Sequence, residues 1–314
     1  DPARRRGHDL TGPVHAGRHD PWPAARARAA ELVAAPGRLL VISDFDGTLS
    51  EIVSDPAGAR ILPLARTALR RLAGLAARRP GRVGVALLSG RTALDVAGRV
   101  RVGGARYLGN HGLEAGDLGR GARAERLVVA VEPAATGEPD AADRLGREVV
   151  RRLGAPGWLF VEPKGASIAF HYRQAADPDG ARAAVLGALE EAGGLRPGPV
   201  VTALELLEGR RVVEIRPAAA GGKGEAVRRL LAREDPDAVL VMGDDVSDAE
   251  AFRALTERRA SGRPAGLSVA IAAAETSAWV ADAADVVLGS PRDAARLLSY
   301  VATLLEREAA AEAT

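Results

Sequence analysis

Four short apolar runs constrain this 314-residue chain more than any other feature, and three of them stop abruptly at acids or a hydroxyl. Residues 38–43 (RLLVIS) end at Asp44, 82–88 (RVGVALL) end at Ser89-Gly90-Arg91, 105–108 form a third run, and 238–242 end at Gly243-Asp244-Asp245. A continuous apolar run of this length is the pattern of a strand covered on both faces in a parallel sheet. Between the runs, residues 64–79, 92–100 and 223–233 carry apolar side chains at helical spacing; weaker strands follow at 267–272 and 285–288, and 291–308 reads as a closing helix. Alternation of this kind predicts an α/β fold, a Rossmann-like doubly wound parallel sheet with crossover connections.

The middle of the chain has another rhythm. Residues 127–131, 158–162, 167–172, 200–206 and 211–215 are strand-like, with helices near 140–153 and 179–192, which predicts an inserted α+β unit. The expected division is a core of 38–118 and 217–308, an insert of 119–216, and a flexible basic tail of 1–37. Residues 1–38 hold seven Arg against four acids, a local +3 within a chain of net +2, so the remainder sits at −1. That balance lacks the clustered basic face of a nucleic-acid binder, and 3% aromatic residues offer few stacking platforms. No stretch approaches the length of apolar sequence that a membrane helix needs. The start lacks the apolar segment of a secretory signal, so a cytoplasmic protein is expected, and its opening on Asp1 rather than Met suggests truncation. With no cysteine in the chain, a disulfide framework, a thiolate zinc site, an iron–sulfur cluster and a cysteine nucleophile are all excluded. Any metal must be held by oxygen or histidine.

In open α/β sheets ligands bind beyond the carboxyl ends of the strands. The residues there are Asp44-Phe45-Asp46-Gly47-Thr48, Ser89-Gly90-Arg91 and Gly243-Asp244-Asp245 followed by Asp248, with Lys223 opening the helix at 223–233. Alone, each piece has a plainer reading: a DxD as a solvated turn, an SGR as a strand-to-helix turn, a GDD as a helix cap. Together they form a hard oxygen site suited to Mg²⁺ paired with a substrate phosphate. Ser89 and Lys223 fit phosphate oxygens, Asp44 a nucleophile forming an acyl-phosphate, and Asp46 an acid that later acts as base. Of 43 basic residues only two are lysines, Lys164 and Lys223, which points to positions where a compact ammonium does what a guanidinium cannot.

These motifs resemble the haloacid dehalogenase superfamily of phosphohydrolases. Within it, 44–63 (DFDGTLSEIVSDPAGARILP), 87–91 (LLSGR), 107–114 (YLGNHGLE), 161–173 (VEPKGASIAFHYR), 209–217 (GRRVVEIRP), 221–227 (GGKGEAV) and 243–252 (GDDVSDAEAF) resemble the trehalose-6-phosphate phosphatases. The resemblance runs from Leu39 to Leu304, with mild departures at Glu51, Ser247 and Ala249. It implies that the insert is a cap of type 2, a lid carrying sugar contacts. It implies hydrolysis of trehalose 6-phosphate with Mg²⁺ held by Asp44, the Asp46 carbonyl and Asp244, supported by Asp245 and Asp248. Gly90, Arg91 and His111 would meet substrate, His111 also orienting the lid hinge. Glu162, Arg173, Arg210 and Glu214 would hold sugar hydroxyls, and Lys164 would stand near phosphate or sugar. Strand alternation independently places 210, 212 and 214 on one face and turns Val213 and Ile215 inward. Rival expectations are a phosphatase for sucrose phosphate or a mannosyl phosphate, a phosphomutase, or a non-catalytic domain partnered with a trehalose-phosphate synthase. The last would be expected to lack one of Asp44, Asp46, Lys223 or Asp244, and all four are present.

Overall fold

The computed structural model describes residues 20–53, 55–132, 141–164, 167–193, 204–209, 211–217, 221–263, 265–272 and 278–313. In chain order the elements are α1 (Trp22–Ala34), β1 (Leu39–Ser43), α2 (Pro63–Arg78), β2 (Val83–Leu88), α3 (Ala93–Val100), β3 (Ala105–Gly109), β4 (Glu114–Leu118) and β5 (Ala130–Val131). Then come α4 (Ala141–Leu153), β6 (Phe160–Lys164), β7 (Ser167–His171), α5 (Pro178–Glu191), β8 (Leu204–Gly209) and β9 (Val212–Pro217). The chain closes with α6 (Lys223–Glu234), β10 (Ala238–Gly243), α7 (Val246–Ala260), β11 (Gly266–Ile271), α8 (Ala278–Ala283), β12 (Val286–Leu288) and α9 (Pro291–Glu312).

Among the described residues one sheet has eight strands in the order β12-β11-β10-β1-β2-β3-β4-β5, and a second has four in the order β6-β7-β9-β8. Pairing in the large sheet is parallel from β12 to β3 and antiparallel at β3–β4 and β4–β5. The unbroken apolar runs are explained by burial on both faces. Leu39 and Val41 pack with Leu72 and Leu298 on the side of α2 and α9, while Leu40 and Ile42 pack with Val227 and Phe252 on the side of α6 and α7. The small sheet has its own core, in which Ile168, Phe170, Val213 and Ile215 meet Val149 of α4 and Val185 and Leu189 of α5. Val213 and Ile215 thus face inward, and Glu214 faces the other way.

Two expectations are corrected. Residues 22–34 are not a flexible tail: they form α1, which buries Ala25, Ala29, Leu32 and Val33 in the main core. The arginines that suggested solvent instead reach partners, Arg28 at 3.6 Å from Asp285 and Arg26 over the ring of Tyr300. Alanine at helical spacing is a weak apolar signal, and packing against α9 supplies what the pattern lacked. Residues 1–19 lie outside the described residues. The second correction concerns the start of the insert. Residues 127–131 were expected to contribute its first strand, yet Ala130–Val131 pairs with β4 at the edge of the core sheet. β4 itself, EAGDL, was not expected as a strand, because two acids and a glycine carry little strand preference; its ladder to β3 decides it. β6, at Phe160–Lys164, lies two residues beyond its expected place. Among the described residues no helix is long and apolar enough to cross a membrane.

Candidate active site

Asp44 follows the fully buried β1, and its N–H continues the ladder onto Met242 O at 2.9 Å, so the side chain emerges beside the end of β10. Lys223, the first residue of α6, reaches the same rim and donates from Nζ to Asp44 Oδ1 and to Asp248 Oδ1, each at 2.8 Å. Asp248 Oδ2 accepts the N–H groups of Asp244 and Asp245 at 3.1 and 3.2 Å, and Asp245 returns the favour by accepting Asp248 N–H at 3.0 Å to cap α7. Gly47, at φ 73°, permits the loop after β1 to pass this group, since a Cβ there would stand 2.0 Å from Asp244 Oδ2.

Burial pushes the Asp44 carboxyl up to about 6, and Asp245 and Asp46 add to the shift against the opposing charge of Lys223. Burial alone would depress Lys223, but Asp248, Asp44 and Asp245 hold its ammonium charged well beyond the ordinary lysine range. The Asp245 carboxyl is held well below its usual range because Lys223, Ser247 and Asp248 outweigh its burial. Asp44, Asp244 and Asp248 are buried and each offers an oxygen within 4.8 Å of the others. The donor set is all oxygen, as Mg²⁺ requires. Asp248, however, already accepts from Lys223 and two main-chain N–H groups, which makes it the support of this cluster.

Asp46 is turned onto Arg91, which donates from Nε to Oδ2 at 2.6 Å and from Nη2 to Oδ1 at 2.9 Å. Arg91 also binds Asp95 Oδ2 at 2.9 Å and Pro56 O at 2.8 Å, so the residue expected to meet substrate is here tied to the expected general acid. Ser89, at the end of β2, is buried, and its Oγ accepts from Arg91 N–H at 3.2 Å.

A second cluster forms where the small sheet meets this rim. Lys164 of β6 donates from Nζ to Glu214 Oε2 of β9 at 2.8 Å and to Gly90 O of the core at 2.9 Å. Nε2 of His111 stands 3.5 Å from Glu214 Oε2. Burial would raise the Glu214 carboxyl, but Lys164 and His111 overcome it and hold the group well below its usual range. Glu162 accepts from His171 Nε2 at 2.9 Å and lies 3.9 Å from Lys164 Nζ. Its carboxyl is lowered, the His171 bond and Lys164 outweighing burial. Arg173 reaches across to Val53 O. Glu214 Oε1, His111 Nδ1 and Ser167 Oγ are buried with no hydrogen-bond partner, the condition that ligand hydroxyls or water would relieve.

The structure therefore gathers Asp44, Ser89, Lys223, Asp244, Asp245 and Asp248 on the core rim, with Asp46 and Arg91 beside them, and Gly90, His111, Glu162, Lys164 and Glu214 at the junction. Arg210 lies outside the described residues. Sequence reasoning passed over Asn110 and Glu114, although Gly-Asn-His-Gly signals left-handed backbone; Asn110 and His111 have φ 48° and 56°, and Gly112 has φ 94°.

The sequence profile of the trehalose-phosphatase family matches residues 42–284. A trehalose-phosphate phosphatase of Mycobacterium marinum is 36% identical over 227 residues, 69% of this chain and 52% of that protein. The chain thus spans about half the length of such a relative. The fold is similar to the C-terminal domain of a Candida albicans trehalose-6-phosphate phosphatase, with TM-score 0.69 and 22% identity over 88% of this chain and 96% of that one. It is also similar to the C-terminal domain of a Candida albicans trehalose synthase regulatory protein, with TM-score 0.64 and 14% identity over 88% and 97%.

Proposed function

Because this chain belongs to the trehalose-phosphatase family, we propose that it hydrolyses trehalose 6-phosphate to trehalose and inorganic phosphate through an aspartyl-phosphate. The observation that carries the reading is Asp44 held at the end of β1 by a buried lysine, with Asp244 and Asp248 beside it. An aspartate in that setting is oriented as a nucleophile and shielded from water.

Asp44 attacks phosphorus while the bond to the sugar oxygen breaks, and Asp46 supplies the proton that the departing oxygen needs. Water then attacks the aspartyl-phosphate, and Asp46 takes its proton, so that phosphate leaves and both aspartates return to their starting states. Asp46 can do this only when Arg91 releases it. Substrate phosphate, a competing partner for the guanidinium, supplies the reason for release. Lys223 and Ser89 bind phosphate oxygens as charge redistributes.

Asp44, the main-chain carbonyl of Asp46 and Asp244 would hold Mg²⁺, with Asp245 and Asp248 behind them. When bound, the ion neutralises charge on the phosphate oxygens. At the junction Glu162 and Glu214 accept from sugar hydroxyls, a role for acids that the phosphate itself would repel. The insert is a lid that closes over the sugar.

The test is phosphate release from trehalose 6-phosphate, sucrose phosphate, a mannosyl phosphate and an aryl phosphate by one preparation, before and after chelation. Trehalose 6-phosphate should exceed the other sugars in kcat/KM by at least about tenfold. EDTA should abolish turnover, Mg²⁺ should restore it and Ca²⁺, with its looser shell, should inhibit. Faster release from another sugar phosphate would overturn the substrate, and full activity after chelation would overturn the metal.

A further inference from the structure

The segment 109–114 is laced to the turn that follows β2. Asn110 N–H donates to Arg91 O at 2.7 Å, His111 N–H donates to Ser89 O at 2.9 Å, and Glu114 Oε2 accepts from Ala93 N–H, in the first turn of α3, at 2.7 Å. Gly109 lies so close to this turn that a Cβ would stand 2.0 Å from Ala93 N. Asn110 and His111 are consecutive left-handed residues, a conformation that asparagine tolerates better than most, and their two N–H bonds hold them there.

The Asn110 side chain is buried and donates from Nδ2 to two acceptors on different sheets. Glu114 Oε1 accepts at 2.7 Å and the main-chain oxygen of Lys164, in β6, at 2.8 Å. Asn110 Oδ1 has no hydrogen-bond partner, so the two acceptors alone orient the amide. Lys164 also sends Nζ to Gly90 O. The insert therefore grips the 89–93 turn twice: directly at Gly90, and by a relay running from Lys164 O through Asn110 and Glu114 to Ala93 N–H.

We propose that Asn110, held by Glu114, is a positioning residue that couples the insert to the core, latching it in its seated position beside the Ser89-Gly90-Arg91 turn. One amide hydrogen of Asn110 has its acceptor only while Lys164 is in place, and a buried donor without a partner is disfavoured. The core thus favours the seated position. The inference rests on the reading of the insert as a lid over a sugar phosphate.

Two variants test it. Asn110→Gly removes the amide and accepts left-handed backbone without steric cost; Asn110→Asp keeps the shape but, ionised, has no hydrogen to donate. With both, kcat/KM for trehalose 6-phosphate should fall about tenfold, mainly through KM, while kcat/KM for p-nitrophenyl phosphate stays within about twofold. In the substrate-free full chain, amide exchange at 160–164 should accelerate about tenfold, with 39–43 and 238–243 unchanged. Equal losses on both substrates would make Asn110 a prop of the turn and overturn the coupling, as would unaltered exchange at 160–164. If the unaltered chain releases no phosphate from trehalose 6-phosphate, the functional reading falls, and the exchange measurement still decides the coupling.

Discussion

The two lysines of this chain are both buried against carboxylates, but their partners belong to frameworks of different kinds. Lys223 bridges Asp44 and Asp248, and every member of that cluster stands on, or at the end of, an element of the eight-stranded sheet or its covering helices. Lys164 and Glu214 come from the small sheet, while Gly90 and His111 come from the large one. The Lys223 cluster exists whenever the core is folded. The second cluster is complete only when two separately packed sheets meet. On the proposed function, the difference is the one expected between groups preorganised for bond breaking and groups that open to admit and release a sugar.

The comparison is broken most severely by removing the proposed nucleophile. Asp44→Asn should lower turnover of trehalose 6-phosphate and of an aryl phosphate alike by about 10⁴-fold or more, because no neighbour can replace a carboxylate that attacks. The amide still offers an acceptor to Lys223, so thermal unfolding should change little. Near-normal turnover in the purified variant would sink the mechanism. Lys223→Arg comes next. A guanidinium fork does not fit where one nitrogen lies 2.8 Å from two carboxylates, and a loss of about 10²-fold is expected on both substrates. A fully active arginine variant would show that the lysine is only a charge.

The second cluster should answer differently. Glu214→Ala is expected to cut kcat/KM for trehalose 6-phosphate by about tenfold, roughly 1.4 kcal/mol, and to leave the aryl phosphate alone. Steady-state kinetics on both substrates decide it. Equal losses would merge the two clusters into one, and no loss at all would move Glu214 out of the site.

The smallest effect belongs to a buried polar group outside both clusters. Tyr107 donates its hydroxyl hydrogen to Val102 O at 2.7 Å and accepts from Val102 N–H at 3.3 Å, and burial pushes its phenol up to about 12 although the N–H bond opposes the shift. Tyr107→Phe should cost about 1 kcal/mol of stability with no change in either activity. Because the folded-state value is raised above the ordinary phenol value of 10.0, the contribution of the neutral hydroxyl is full below that pH and is lost as pH rises toward about 12. Denaturant melts across that window should show a steeper decline in the parent chain than in the phenylalanine variant. Matching declines would remove Tyr107 as the titrating group.

Much of the core was written in local pattern. The runs at 38–43, 82–88 and 238–242 became β1, β2 and β10 because a strand buried on both faces must be apolar at every position, and no other element of that length needs to be. The same logic located Asp44, Ser89 and Asp244, since the first polar residue after such a strand stands at the rim of the sheet. α1 escaped because alanine and arginine carry no strong contrast between a core face and a solvent face, and β4 because its acids and glycine are poor strand formers. Both are elements whose existence depends on a neighbour.

Partnership was decided by the tertiary structure alone. Lys223 meets Asp44 across 179 positions and Asn110 meets Lys164 across 54, and no periodicity reaches that far. Arg91, legible as a charged residue after a strand, was expected on substrate and stands on Asp46; the fork of a guanidinium takes the nearest well-placed carboxylate, and which carboxylate is nearest is a property of the packed loops. The residue types and their place at strand ends were therefore determined by the sequence, through burial and period, which are local. Which charge faces which, and whether a contact lies within one sheet or between two, was settled only when the chain closed on itself, because Coulomb attraction and hydrogen bonding act through space and not along the chain.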